Sequence, residues 1–153
     1  MWCERVISTA LKNYRLEEQI GFILRKVRQR HVAIFAEQVG SDLTPTQWTV
    51  MMKLSEVGKC SQNRLGRMTA MDIATIKGVI DRLTARGLTE ISPDPEDGRR
   101  LLIGLTASGR AKVESLVTRA LFASEKTLAP LSVKERKTLA ALLRRLRRCP
   151  HVA

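Results

Sequence analysis

The sequence predicts a mainly α-helical protein that carries one small β-hairpin. Apolar residues recur every three or four positions through most of the chain, which is the spacing of one face of a helix. The pattern changes only over residues 88–105, where two short strand-like runs flank a connection rich in proline, aspartate and glycine. The length of 153 residues suits one domain, and we expect residues 1–153 to form one.

Two helices are predicted in the first part of the chain. Apolar positions at helical spacing cover residues 14–38. The second helix has a well-marked start, because Thr44 can cap it, Pro45 takes the first helical position and Gln47 completes a capping box. We expect this helix to end at Gly58, since glycine commonly follows the last turn of a helix.

The middle of the chain predicts two helices joined by a tight turn. The first starts after Ser61, a candidate cap, and reaches about residue 68; the turn covers residues 69–71 and the second helix residues 72–86. The residues predicted to face inward from the second helix are Ile73, Ile76, Val79, Ile80 and Leu83. Its outer face is polar and basic, and two such helices in succession form a helix-turn-helix.

A β-hairpin is predicted directly after these helices. Residues 88–92 and 100–105 have strand character, and the connection between them contains Pro and Asp-Gly turn formers. A hairpin at this place is the wing of a winged helix-turn-helix. Thr106 then caps a long helix, and Ser132 with Glu135 forms a capping box for the final one.

The charge balance favours a polyanionic partner. Lys and Arg total 27 against 15 acidic residues, which gives a formal net charge of +12. Aromatic residues make up only 4% of the chain, and this scarcity disfavours a stacking platform for single-stranded bases. The charge alone does not distinguish a nucleic-acid binder from a generally basic protein, so the motifs have to decide.

Several kinds of chemistry are disfavoured by the sequence. The cysteines Cys3, Cys60 and Cys149 form no CxxC pair, so we expect neither a disulfide framework nor a metal site. We expect the protein to be located in the cytoplasm, which is reducing. With only His31 and His151, and with no Gly-rich phosphate loop or HExxH motif, neither an enzyme nor a cofactor is predicted. No apolar run approaches the roughly 18 residues that a membrane span requires.

The first helix and the last two carry apolar stripes that a head formed by residues 43–105 cannot cover alone. In the final helix the stripe consists of Leu139, Leu142, Leu143 and Leu146. We therefore expect residues 14–40 and 107–148 to be dimerisation helices that bury their stripes against a second copy. The predicted assembly is a homodimer, and a self-contained monomeric bundle is the alternative.

The hairpin and the residues around it resemble those of the MarR family of bacterial transcription regulators. Residues 94–109 read DPEDGRRLLIGLTASG, which is similar to the family's D-P-x-D-x-R wing followed by L-T-x-x-G at the next helix start. Residues 81–83 (DRL) and 86–88 (RGL) resemble the family's recognition-helix ending. The resemblance implies a winged helix-turn-helix protein that binds double-stranded DNA.

In such a fold the second helix of the motif enters the major groove with its N-terminal residues nearest the bases. Thr75 can hydrogen-bond to base edges, Lys77 suits guanine acceptors, and Gly78 leaves room for close approach. The start of the preceding helix suits phosphate contacts. The predicted DNA-binding residues are Ser61, Gln62, Asn63, Arg64, Ala74, Thr75, Lys77, Gly78, Asp97 and Arg99.

Arg99 lies at the predicted tip of the wing, where a guanidinium can enter the narrow minor groove. The resemblance implies that Asp97 and Arg99 are the wing's paired acid and minor-groove arginine. Asp97 either orients Arg99 or stabilises the turn. A second basic cluster, residues 144–148, lies on a helix with a leucine stripe, and we interpret it as a solvated face.

The resemblance also implies an effector cleft between the dimerisation helices and the head. Residues 43–48, 60–63 and 74–78 are similar to the corresponding segments of regulators of aromatic-acid breakdown. Those regulators respond to hydroxycinnamoyl-coenzyme A thioesters or to nicotinate-type acids. Candidate lining residues, which supply aromatic walls, a thioether and cations, are Phe22, Arg28, His31, Phe35, Trp48 and Met52. Taken one at a time, such apolar residues more often belong to an ordinary core, and a histidine such as His31 more often occupies a hydrogen-bonded core site.

These predictions combine into one mechanism. A homodimer places two recognition helices about one DNA turn apart on a pseudo-palindromic operator, and a small aromatic acid or its coenzyme A thioester releases it. One alternative is a cysteine-based redox sensor of the same fold, with Cys3 or Cys60 as the thiol. The other is a nucleoid-type protein that binds DNA with little sequence preference.

Overall fold

The structure is a computed structural model, and it describes residues 13–148. Within this range the elements are α1 (Ile20–Val39), α2 (Pro45–Val57), α3 (Gln62–Thr69), α4 (Ile73–Ala85), β1 (Thr89–Pro93), β2 (Leu101–Leu105), α5 (Ala107–Thr127) and α6 (Val133–Arg148). The predicted class, mainly α-helical with a small hairpin, is confirmed. None of the helices in this range is long and apolar enough to cross a bilayer.

Four helices start at the caps that the sequence predicts. The Thr44 hydroxyl accepts a hydrogen bond from the Gln47 N–H at 3.2 Å, and the Gln47 side chain accepts one from the Thr44 N–H at 2.9 Å. The hydroxyls of Ser61, Thr106 and Ser132 each accept from the amide three residues later. These bonds satisfy amides that a helix start leaves without partners, and they fix where each helix begins.

Two details of the helical prediction are wrong. The pattern from residue 14 is not one helix, because a 3-10 turn covers Leu16–Glu18 and Gln19 is extended (φ −77°, ψ 128°), so α1 begins at Ile20. Ile73, predicted to face inward, is 72% exposed. Ile73 is the first residue of α4, and the buried residues of this helix begin only one turn later, at Ile76.

One hydrophobic core joins α1 to α5 and the hairpin. Helix α1 packs along α5, and α2 packs against α3, α4, α5 and β2. The largest fully buried side chains are Leu43, Met51, Leu65, Ile76, Ile80, Leu83, Val50 and Val79. In α6, by contrast, none of the side chains of residues 133–147 is buried. The head therefore shares its core with α1 and α5, while α6 lies outside this core.

The wing is attached to the rest of the head at two places. The strands pair antiparallel with Ile91 opposite Ile103, and Cys60 and Ile103 exchange backbone hydrogen bonds of 3.1 and 2.9 Å. At the other end, a Cβ placed on Gly109 of α5 would lie only 2.0 Å from the Leu88 carbonyl oxygen. Glycine at this position lets α5 start directly against the backbone that leads into β1.

Candidate nucleic-acid interface and ligand cavity

Helices α3 and α4 form the helix-turn-helix, and a glycine in α3 allows the two helices to pack closely. A Cβ placed on Gly66 of α3 would lie 3.2 Å from the Met71 carbonyl and 3.4 Å from Ile76 Cγ2. Ala70 takes the left-handed conformation (φ 54°), and the Asp72 carboxylate then caps α4. This sharp turn brings α4 to the surface with its N-terminal residues exposed.

The first half of α4 holds the side chains that the sequence assigns to base edges. Ala74, Thr75 and Lys77 are exposed, and Gly78 is half-buried. The Thr75 hydroxyl donates to Asp72 at 2.8 Å, and the Lys77 ammonium lies 2.7 Å from the Asp81 carboxylate. Backbone and side-chain hydrogen bonds from Thr75 lower the pKa of Asp72, so this cap is ionised at neutral pH. DNA would have to compete with these carboxylates for both polar side chains.

A groove of about 400 Å³ lies between the start of α3 and the wing. Its lining consists of Ser61, Gln62, Asn63, Arg67, Arg100 and Leu101. Ser61, Gln62 and Asn63 are predicted DNA-binding residues. Arg64, which is also predicted to bind DNA, does not line the groove but is exposed next to them in the sequence. Sequence reasoning missed Arg67 and Arg100, although the Arg99-Arg100 pair and the four-residue spacing from Asn63 to Arg67 were visible signals. Two guanidinium groups beside an open groove suit phosphate oxygens.

The tip of the wing is closed by backbone hydrogen bonds. The Asp97 carboxylate accepts from the Arg99 N–H at 3.1 Å, and the Asp97 carbonyl accepts from the Arg100 N–H at 2.8 Å. On the other side of the turn, the Asp94 N–H donates to the Arg100 carbonyl at 2.8 Å. Of the two roles considered for Asp97, this geometry corresponds to stabilising the turn. Within residues 13–148 the exposed Arg99 guanidinium makes no ion pair.

A larger cavity, of about 730 Å³, lies between α1, α2 and α4. It is lined by Arg28, His31, Val32, Thr44, Pro45, Thr46, Gln47, Thr49, Thr69, Met71, Thr75, Val79 and Arg82. Arg28 and His31 are thus the predicted ligand residues that line it, and the His31 Nδ1 lies 2.8 Å from the Thr127 hydroxyl, which ties α1 to α5. Thr75 and Arg82 were not foreseen in the lining. Because both belong to α4, the cavity shares one helix with the residues predicted to contact DNA.

The other four predicted ligand residues lie elsewhere. Phe35 is buried in the core with its ring 6.4 Å from the Trp48 ring, and Trp48 and Met52 are partly buried against the same core. Phe22 is half-buried, and the Lys26 ammonium lies 5.4 Å from the centre of its ring. None of these four side chains contributes to the cavity lining. The positions of Phe35, Trp48 and Met52 correspond to the core interpretation that the sequence left open, whereas Phe22 belongs to neither the core nor the cavity wall.

Cys60 is the one cysteine within residues 13–148, and it is 2% exposed. Burial raises the pKa of its thiol, which favours the unreactive protonated form at neutral pH. Cys3 and Cys149 lie outside the described residues. Across the described range, no group of three or more His, Cys, Asp and Glu side chains is arranged to hold a metal ion.

Similarity to known proteins identifies the family. The model of the MarR family matches residues 43–101. The chain is 40% identical over 134 residues to the HTH-type transcriptional repressor NicR of Pseudomonas putida, and the match covers 87% of this chain and 85% of NicR. The chain belongs to the MarR family. As a MarR family member it is a DNA-binding transcription regulator and not an enzyme.

Solved structures of similar regulators share the MarR fold. A probable transcriptional regulator from Pseudomonas aeruginosa is 55% identical, with a TM-score of 0.82 over 86% of this chain and 99% of that one. BpsR of Bordetella bronchiseptica, whose DNA binding is regulated by 6-hydroxynicotinic acid, is 41% identical, with a TM-score of 0.84 over 90% of this chain and 99% of BpsR. The resemblance inferred from the wing residues and the winged-helix fold are both confirmed.

Proposed function

We propose that this MarR family regulator is a ligand-responsive repressor, a homodimer that occupies a pseudo-palindromic operator and is released by a small aromatic acid. The observation that carries this proposal is the cavity between α1, α2 and α4, whose wall includes Thr75 and Arg82 of the recognition helix. A ligand in this cavity touches the helix that meets DNA. If the ligand binds more tightly when the two recognition helices of the dimer are wrongly spaced for the operator, this difference in affinity releases DNA.

The proposed DNA contacts divide into three groups. Residues for the major groove are Ala74, Thr75, Lys77 and Gly78, and residues for the phosphates are Ser61, Gln62, Asn63 and Arg64. To the phosphate group we add Arg67 and Arg100, because both line the groove between α3 and the wing. Arg99, supported by the Asp97 turn, is assigned to the minor groove. Phosphate contacts position the head, and base and groove-width contacts supply specificity.

The proposed homodimer is supported by exposed apolar faces on the outer helices. The exposed large apolar residues there include Leu16 before α1, Ile20, Ile23, Leu24 and Val27 in the first half of α1, Leu121 and Phe122 on α5, and Leu139, Leu142, Leu143 and Leu146 on α6. Large exposed apolar patches typically mark interfaces. A two-fold dimer formed through these faces presents two recognition helices to one duplex.

The proposed effector is a free aromatic acid of the nicotinate type. BpsR, with 41% identity and 99% of its length covered, responds to 6-hydroxynicotinic acid. In this chain Arg28 and Arg82 offer cations for a carboxylate, Thr49 offers a hydroxyl, and Val79 offers an apolar wall. The volume of about 730 Å³ falls within the roughly 300–1,000 Å³ of small-molecule sites.

Fluorescence anisotropy with a duplex from the protein's own gene neighbourhood tests the proposal. We expect nanomolar binding that 6-hydroxynicotinate weakens at least about fivefold, as a coupling free energy of about 1 kcal/mol or more implies. Arg28→Ala should keep DNA binding and lose the response. The control Arg25→Ala changes an exposed arginine of α1 outside the cavity lining and should respond like wild type.

Two results would contradict parts of the proposal. If nicotinate-type acids leave wild-type binding unchanged, the effector class is wrong. If the protein binds an unrelated duplex as tightly as its own, the nucleoid-type alternative is correct. The redox alternative predicts that peroxide abolishes binding, and the buried Cys60 thiol gives no structural reason to expect this.

A further inference from the structure

We propose that Lys59 is a positioning residue that sets the angle of the wing against the helix-turn-helix, and that Gly104 is the glycine that makes room for it. The inference rests on the DNA-binding function proposed above. Lys59 lies in the short connection between α2 and α3, directly before Cys60, whose backbone pairs with the wing.

The Lys59 side chain crosses both strands of the wing. Its ammonium lies 2.9 Å from the Glu90 carboxylate and donates to the Ser92 hydroxyl at 3.2 Å, and both residues belong to β1. Its methylene stem lies on Gly104 of β2, where an added Cβ would lie 2.7 Å from Lys59 Cγ and 3.1 Å from Cε. Gly104 is directly opposite Glu90 in the strand register. One side chain therefore passes over β2 and is anchored on β1.

This anchoring opposes rotation of the wing. The backbone pairing of Cys60 with Ile103 holds the middle of β2, and the packing of Leu88 against Gly109 holds the base of the hairpin, but neither contact holds β1 toward the tip. The anchors of Lys59 lie on β1, so they resist rotation of the hairpin about these two attachments. Ser61 and Arg100 line the groove between α3 and the wing. A rotated wing therefore changes the groove width and the position of the wing tip.

The sign of one substitution separates positioning from simple attraction to DNA. If Lys59 only attracts phosphates, Glu90 competes with DNA for it, and removing the carboxylate strengthens binding. If Lys59 positions the wing, it needs Glu90, and removing the carboxylate weakens binding. The two side chains are 47% and 49% exposed, so we expect effects of only about two- to fivefold.

The experiment measures operator affinity of the full chain at several salt concentrations for wild type and Glu90→Gln. We expect Glu90→Gln to weaken operator binding about two- to fivefold with an unchanged salt slope. If Arg99 enters the minor groove as proposed, the variant should also lose part of the preference for A·T-rich flanks, where that groove is narrow. The matched control is Glu56→Gln. It also removes an exposed carboxylate that pairs with a lysine, but this pair, Lys53 and Glu56, lies on α2.

Tighter binding by Glu90→Gln overturns the inference and leaves the proposed function intact. Failure of wild type to bind any operator overturns both.

A second pair of variants guards against misfolding. Gly104→Ser pushes a Cβ into the stem of Lys59, so we expect a similar two- to fivefold loss and the same loss of flank preference. In a Lys59→Ala background the stem is absent, and Gly104→Ser should then cause no additional loss. Equal damage in both backgrounds shows that the strand itself requires the glycine, and this result overturns the inference.

Discussion

Among single residues, Asp42 connects three parts of the fold. It lies in the loop between α1 and α2, and its carboxylate is 2.9 Å from the Lys112 ammonium of α5 and 3.5 Å from the Arg86 guanidinium after α4. The Asp42 carbonyl also accepts a hydrogen bond from Arg86. The hydrogen bond and charge of Lys112, with the charge of Arg86, lower the pKa of Asp42. The loop that leads into the cavity wall at Thr44 is therefore fixed by charge.

We expect Asp42→Asn to lower the free energy of unfolding by less than about 1 kcal/mol at neutral pH, because the ion pairs are partly exposed. The folded-state pKa lies below the ordinary value of 3.8, so the stabilisation is present above that value and disappears as the pH falls through the folded-state pKa. Urea denaturation of both proteins at about pH 7 and about pH 2.5 checks this. A difference of equal size at both pH values would contradict the assignment.

At the wing tip we expect Arg99→Ala to weaken operator binding about tenfold without changing the unfolding temperature. The guanidinium is exposed, so its removal costs contacts with DNA rather than contacts within the fold. Arg144→Ala, which removes an exposed arginine of α6, is the control and should bind like wild type. Mobility shifts and thermal melts measure both properties. Equal loss in the two variants would indicate general charge attraction instead.

Among the secondary-structure elements, the start of α5 explains the L-T-x-x-G motif. The Thr106 hydroxyl accepts from the Gly109 N–H at 3.0 Å and donates to the Gly87 carbonyl at 2.7 Å. Three residues on, Gly109 lies against the Leu88 carbonyl. One turn of helix thereby holds both the end of the recognition-helix segment and the first strand of the wing.

We expect Gly109→Ala to lower the free energy of unfolding by about 1–3 kcal/mol, because the added Cβ meets backbone that cannot move without displacing the hairpin. Gly98→Ala is the control, since no atom lies within 4 Å of a Cβ at that position. Chemical denaturation compares the two variants with wild type. If Gly109→Ala is as stable as wild type, the backbone at Leu88 can shift at little energetic cost, and the prediction is wrong.

For the molecule as a whole, the exposed apolar face of α6 leads to a prediction about assembly. We expect Leu143→Asp to give a monomer that binds operator at least about a hundredfold more weakly, because a charge in an apolar interface is costly and a dimer is needed for two half-sites. Val57→Asp changes an exposed apolar residue at the end of α2 and should stay dimeric. Sedimentation equilibrium distinguishes the species. A dimeric Leu143→Asp protein would place the interface elsewhere.

Local patterns were enough to predict the helices, the hairpin and the family. Thr44 and Gln47 mark a helix start because their hydrogen bonds join residues three positions apart, and the wing motif is similarly short. The same reasoning named Ser61, Gln62 and Asn63, which line the groove, because they begin a helix beside a basic hairpin. Such features depend on neighbours along the chain, and the chain order displays them directly.

Which residues line the groove and the cavity depends on packing between distant segments of the chain. Periodicity shows that Phe35 and Trp48 lie on buried faces, but it does not tell a core from a cavity wall, since both are apolar. Arg67 and Arg100 meet at one groove although 33 positions separate them, and Arg82 reaches a cavity whose other walls come from α1 and α2. A cavity is the space that elements leave between them, so its lining follows from how the helices cross rather than from any one helix.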